Sequence, residues 1–382
     1  DTGAPTDAGP GYAVPCSLVA KVQSGSADTD TNTTSSSFEV PIVHKFALGL
    51  NSSFGVEDLL FNMDVIATEV ENPAIINDIN VSKTGETDFT GRPYYNCSGG
   101  NARDSFTCFG PFDFQLTNSS QSPVGLTYSL SLSKLWRESD VRFSIGYANT
   151  SLQDVTPMTS SVAYSNFTGV ATIDRNNPTV AQSNHVIPER ITASLRYQPV
   201  TIEGGYRFKA SLFINRFQSR SYSYTYDGEE HGQTPAFTDQ SLLYVPTNAA
   251  DPNVVFDGIS PAAFFAITDA AGCPRGQYCP RNSIDGAWNT SINLKLAQEF
   301  PGFAPDHEAE IYMVIKNLGN LINSKYGIFR EPGFPSMQKV ARLSEIDDQG
   351  RYVYDRLYSP RGSSISPYAS TYEVKFGFYY RF

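Results

Sequence analysis

The strongest constraint on this chain is a two-residue period that returns in segments about ten residues long. In Gly125–Trp136, Leu126, Tyr128, Leu130, Leu132 and Trp136 take one face, and Thr127, Ser129, Ser131 and Ser133 take the other. Val141, Phe143, Ile145 and Tyr147 oppose Arg142, Ser144, Gly146 and Ala148, and Ile191, Ala193, Leu195 and Tyr197 oppose Thr192, Ser194 and Arg196. Trp288–Leu296 and the last eleven residues, from Tyr372 to Phe382, repeat the pattern. Weaker alternation covers 42–52, 57–71, 205–219 and 308–317. Side chains of a strand point alternately to its two faces, so each segment is a strand with one apolar and one polar side.

Alternation alone fits a soluble sandwich as well as a membrane barrel. The connections discriminate between them. They run short, long, short, long: near 52–56, 137–140, 199–204 and 300–307 the chain turns tightly, whereas 72–123, 154–188, 220–286 and 318–366 are long. Loops sorted by parity are expected when one barrel end has tight turns and the other carries external loops. A sandwich has no reason to sort them, and structureless loops this long are unusual in a compact domain.

The expectation is therefore an all-β fold: an antiparallel transmembrane β-barrel segment of about nine strands with long external loops. No run approaches the ~18–20 apolar residues of a spanning helix. Barrels of this kind end inside, so counting back from the last strand makes 42–52 run inward and places 1–38 in an external loop, with strands and loops over 39–382. An odd count that starts outside predicts further strands upstream, and the left-over Cys16 agrees.

The net charge of −11 argues against nucleic acid as a partner, since a phosphate backbone needs clustered Lys and Arg. Aromatics are carried by 25 Phe and 22 Tyr against 2 Trp, which suits aromatic girdles or Tyr-rich binding loops. Cys97 and Cys108 lie close in sequence, as do Cys273 and Cys279, each pair in a loop-like stretch. Such pairs are expected to form disulfides in an oxidising compartment. No His has zinc-ligand spacing to either pair, so no metal or cofactor is expected. His44, His185, His231 and His307 are scattered, and no nucleophile elbow or phosphate loop occurs, so no catalytic residues are assigned and an enzyme is not expected. Asp227, Glu229, Glu230 and His231 match no Ca²⁺ loop. The N-x-S/T triplets at Asn32, Asn80, Asn118, Asn149 and Asn166 follow from loops rich in Asn, Ser and Thr.

Three sets of residues are candidates for function. Tyr222, Tyr224 and Tyr226 alternate where a strand leaves the sheet; they either bind ligand at the barrel mouth or form an aromatic belt. Arg142, Arg196, Lys209, Lys295 and Arg381 fall on the polar, lumen-lining faces, where they either line a path for an anionic ligand or pair with acids elsewhere. The third set is the aromatic C-terminal strand: Tyr372, Phe376, Phe378, Tyr380 and the final Phe382.

That ending, YEVKFGFYYRF, resembles the C-terminal signal of bacterial outer-membrane proteins that the barrel assembly machinery recognises. IKNLGNLINSKYG (315–327) resembles the stretch before the last external loop of TonB-dependent receptors of the Oar-like group. TGRPYY (90–95), SYSYTYDG (221–228) and LLYVPTNAADPNVVF (242–256) resemble that group in order and spacing. The resemblance implies a barrel of about 22 strands, of which this chain supplies the last nine or so. It also implies residence in the bacterial outer membrane, contact with its lipid, coupling to TonB through an N-terminal part and plug domain absent here, and energised import of an unknown extracellular ligand. A structural, adhesive or protein-export surface barrel and a passive porin are the competing readings.

Overall fold

The structure, a computed structural model, describes residues 31–97, 113–228 and 240–382. Nine long strands follow one another through a single antiparallel meander: β1 (Ile42–Ser52), β2 (Leu59–Glu71), β3 (Val124–Trp136), β4 (Val141–Asp154), β5 (Glu189–Tyr197), β6 (Tyr206–Gln218), β7 (Trp288–Pro301), β8 (Glu308–Lys316) and β9 (Glu373–Arg381). Two short strands, Ala181–Gln182 and Val200–Ile202, pair beside β4 and β6. β1 and β9 are the two ends of this order and do not pair with each other, so the sheet is open among the described residues. Sequence alternation located all nine strands because period-two patterning is a local property of each segment.

The register aligns the apolar faces. Leu50, Met63, Leu130, Tyr147 and Ile191 lie opposite one another in turn across β1 to β5. Leu195, Leu212, Leu294, Ile315 and Val374 do the same across β5 to β9. A slip of one residue in any pair would break the row and turn that strand's apolar set over. The other face is polar, with Asn62 donating to Ser131 Oγ at 3.1 Å and the hydroxyls of Ser144 and Ser194 at 2.7 Å.

No hydrophobic cluster found among the described residues includes a residue of the nine strands. Among the described residues the apolar face is not backed by a second sheet, as a soluble sandwich would require. Phe376 is 76% exposed and Leu48 74%. Residues 53–58, 137–140 and 302–307 close three of the tight turns, and the fourth passes through Gly204 and Gly205, both at φ near +95°, which a side chain would resist. All four lie at one end of the sheet.

At the other end, the four long connections form a folded cap rather than separate loops. Ser241–Leu242, Ser223–Asp227, Met337–Ile346, Tyr352–Leu357 and Val254–Phe256 make one mixed five-stranded sheet, drawn from the connection between β6 and β7 and the one between β8 and β9. The helix Pro261–Ala270, N-capped by Ser260 with Pro at its first turn, buries Phe264 and Phe265 against this sheet. A second sheet joins Thr31–Thr34 and Ala74–Asp78 to the two sides of Asp113–Asn118, and Ile76 and Phe114 pack with Phe167. The conventional core of this molecule therefore sits in the cap.

Candidate ligand site in the loop cap

The site begins with a hairpin tip in the first long connection. The Asp88 carboxylate accepts from the backbone N–H of Thr90 and Arg92 and from the Thr90 hydroxyl, at 2.7, 3.0 and 2.6 Å. This local cap shapes a turn that needs positive φ at Gly91 (+86°). The turn drives Arg92, 1% exposed, into the core of the cap, where its guanidinium donates to the Tyr226 hydroxyl and to Ser241 Oγ. Tyr352 donates to Asp88, and the hydroxyls of Tyr278, Tyr352 and Thr90 are linked at 2.9–3.0 Å. One buried polar network thus joins the first, third and fourth connections. Burial pushes the Tyr278 hydroxyl up to about 12 and Tyr352 well above its ordinary range, so both remain neutral donors.

The second connection is tied in beside it. Tyr95 donates to Asp174 at 2.8 Å, and Lys83 pairs with the same carboxylate at 3.2 Å. Asn176 exchanges two hydrogen bonds with the backbone of Asp78, both at 2.8 Å. Burial raises the Asp78 carboxyl to about 6, and the backbone N–H of Asn80 only partly opposes this.

Between these connections lies a half-open cleft of about 600 Å³. Its apolar wall comprises Phe89, Tyr244 and Tyr278, whose rings meet edge to face at 5.1 and 5.6 Å, with Ile173, Val180 and Leu242. Its polar wall comprises Thr90, Thr179, Asn253, Gln277 and Arg281. The disulfide Cys273–Cys279, with Cα atoms 4.8 Å apart, braces the segment that carries Gln277 and Tyr278, as the sequence led us to expect. Arg281 donates to the backbone carbonyls of Asp154 and Val155 and pairs with the Asp154 carboxylate at 3.0 Å. That contact fastens the cleft to the end of β4. Desolvation lowers the Arg281 pKa, and the Asp154 carboxylate only partly offsets this.

The predicted tyrosine platform is corrected. Tyr222, Tyr224 and Tyr226 are buried, Tyr226 completely, in a strand covered on both faces, so they form the core of the cap and are not an open binding surface. Ser223 and Thr225 between them are buried too, and the Ser223 hydroxyl donates to Asn282 at 2.9 Å. Alternation of Tyr with small hydroxyl residues looks the same in a half-exposed strand and in one buried on both sides.

The cationic set lies on the polar face. Arg142 stands opposite Arg196, and Lys295 stands opposite Ser211, the next residue in that row. Lys209 contacts Glu299 and Glu310, Lys295 lies 3.6 Å from Glu310, and Arg381 contacts Glu308. Three of the five cations are therefore paired with acids on adjacent strands, one of the two alternatives open from sequence. Phe376, Phe378 and Tyr380 lie on the apolar side of β9, opposite Met313, Ile311 and Ala309. Tyr380 accepts from the backbone N–H of Phe303, while Tyr372 and Phe382 flank the strand. The Cys97–Cys108 pairing, Cys16 and the 229–231 charges lie outside the described residues.

The cleft residues were missed because they come from three connections far apart in sequence. Two signals pointed there: the TGRPYY run that forms the tip, and the cysteine pair around Gln277 and Tyr278. The chain matches no family model, and no curated protein matches it either. Fold and site define it only as a large open antiparallel sheet that carries a folded cap at one end.

Proposed function

We propose that the chain is the barrel portion of a TonB-dependent receptor in the bacterial outer membrane, where the cap captures a scarce external ligand for energised import. In this reading the nine strands are part of a barrel of about 22, with the apolar face in lipid and the tight turns in the periplasm. The observation that carries it is the combination of loop parity with an apolar face that no other layer covers. Backbone groups in lipid must be satisfied within a closed sheet, so the free edges of β1 and β9 call for further strands. Coupling to TonB would belong to a part of the receptor outside these residues.

The test uses the complete gene product in its native host. Whole cells are treated with protease, membranes are fractionated, and in-cell crosslinking to TonB is measured. The expected result is outer-membrane recovery, cleavage within the cap by external protease, and a TonB crosslink. Recovery in a soluble fraction overturns the membrane reading. Outer-membrane recovery with no TonB crosslink favours the structural or adhesive barrel.

A further inference from the structure

The cleft has a chemical signature of its own. Among the described residues its one formally charged lining residue is Arg281, and the Asp154 carboxylate already neutralises that charge. No Asp or Glu among the described residues lines it. A charged ligand entering here would lose its hydration without gaining a counter-charge, which is costly. The remaining polar groups are hydroxyls and amides. The side chains of Thr179 and Gln277 are exposed to it and have no partner among the described residues. Opposite them stand the rings of Phe89, Tyr244 and Tyr278. The volume falls within the ~300–1,000 Å³ usual for small-ligand sites.

We propose that this cleft binds a short neutral oligosaccharide. The C–H faces of a sugar ring would lie on the aromatic wall, while its hydroxyls would bond to the side chains of Gln277 and Thr179. A neutral ligand with many hydroxyls satisfies these groups without needing a compensating charge. Phe89 and Thr90 belong to the hairpin tip latched by Arg92, so an occupant would touch three of the long connections at once. The proposal rests on the receptor reading only for the side of the membrane that the cleft faces.

The test is isothermal titration of the complete protein in detergent with maltotriose, cellotriose, xylotriose and chitotriose, with trigalacturonate as the charged counterpart. At least one neutral trisaccharide is expected to bind, and trigalacturonate is not. Phe89→Ala and, separately, the exposed Gln277→Ala should each weaken binding roughly tenfold, as expected for a lost stacking or hydrogen-bonding contact. Absence of binding by all four neutral sugars overturns the proposal, as does equal binding of trigalacturonate or undiminished binding by both variants. Titration needs neither membrane nor TonB. A sugar-binding protein recovered in a soluble fraction would therefore sink the receptor reading and keep the site, and an outer-membrane protein blind to all four sugars would do the reverse.

Discussion

Replacing Arg92 by Met tests whether the hairpin tip is latched into the cap by its buried charge. The methionine keeps most of the apolar stem and removes the guanidinium, which donates to Tyr226 and Ser241. Losing a hydrogen bond from a charged donor costs ~1.5–3 kcal/mol, so two lost bonds represent about 3–6 kcal/mol. Removing a buried charge also releases its desolvation penalty, and part of that cost is recovered. A net loss of ~2–3 kcal/mol in local stability follows, equivalent to a rise of roughly 30- to 150-fold in opening of the tip. Hydrogen-exchange mass spectrometry of the complete protein reads this directly, with faster exchange in peptides covering 86–97 and 223–227. Arg137→Met is the control, because Arg137 pairs with Asp58 on the surface at the tight-turn end, where such pairs contribute ~0–1 kcal/mol. Equal protection of the two variants throughout the cap would refute the latch.

Three further outcomes are expected. Asp78 has a carboxyl raised by burial from 3.8 to about 6, so the folded cap holds this proton more tightly than the unfolded chain; its stability should fall as pH rises through that window and stay low above it. Asp78→Asn should abolish that slope and stabilise the cap at pH 7 by up to ~3 kcal/mol; identical pH dependence of exchange over 74–82 in both proteins would contradict the assignment. On the receptor reading, Leu130→Arg on the apolar face should cost ~2–4 kcal/mol while Ser131→Arg on the opposite face is tolerated, and equal outer-membrane yields of the two would count against a lipid-facing band. Paired Phe376→Ser and Phe382→Ser changes should lower outer-membrane yield more than paired Phe143→Ser and Ile145→Ser, without altering ligand affinity in molecules that assemble; equal yields would show the C-terminal aromatics to be ordinary face residues rather than an assembly signal.

The nine strands were legible because each carries its own evidence. Leu126 to Trp136 alternates whatever its neighbours do, so Leu130 falls on an apolar face without reference to Met63, the residue it pairs with. The cap was not legible, because its pairings are long-range. Ser223–Asp227 lies parallel to Met337–Ile346, more than one hundred residues away, and Val254–Phe256 runs parallel to Tyr352–Leu357. No local period announces such a partner. Long connections read as external loops therefore concealed several small sheets, four helices and both buried hydrophobic clusters. The lysine at 209 shows the same boundary: alternation assigned its face, whereas its contacts with Glu299 and Glu310 depend on two neighbouring strands.

A mean hydropathy of −0.29 looks unremarkable for a water-soluble protein, yet it averages two opposite rules of burial. In the cap, large side chains such as Tyr226, Phe264 and Tyr354 are buried. In the long sheet the same residue classes line one exposed face, and Ser, Thr, Asn and charged residues predominate on the other. A strand with every second residue polar can never reach the hydropathy of a spanning helix, so a sheet of such strands stays hidden from any average or window. What distinguishes it is the direction of each side chain combined with the absence of a layer to receive the apolar half. That absence has an energetic consequence. Each apolar residue left in water forgoes ~25 cal/mol per Å² of burial, and Leu48, Leu130, Leu195 and Phe376 are all exposed on this face. Water is thus a poor solvent for this face, and the receptor reading proposed above supplies an apolar one along it.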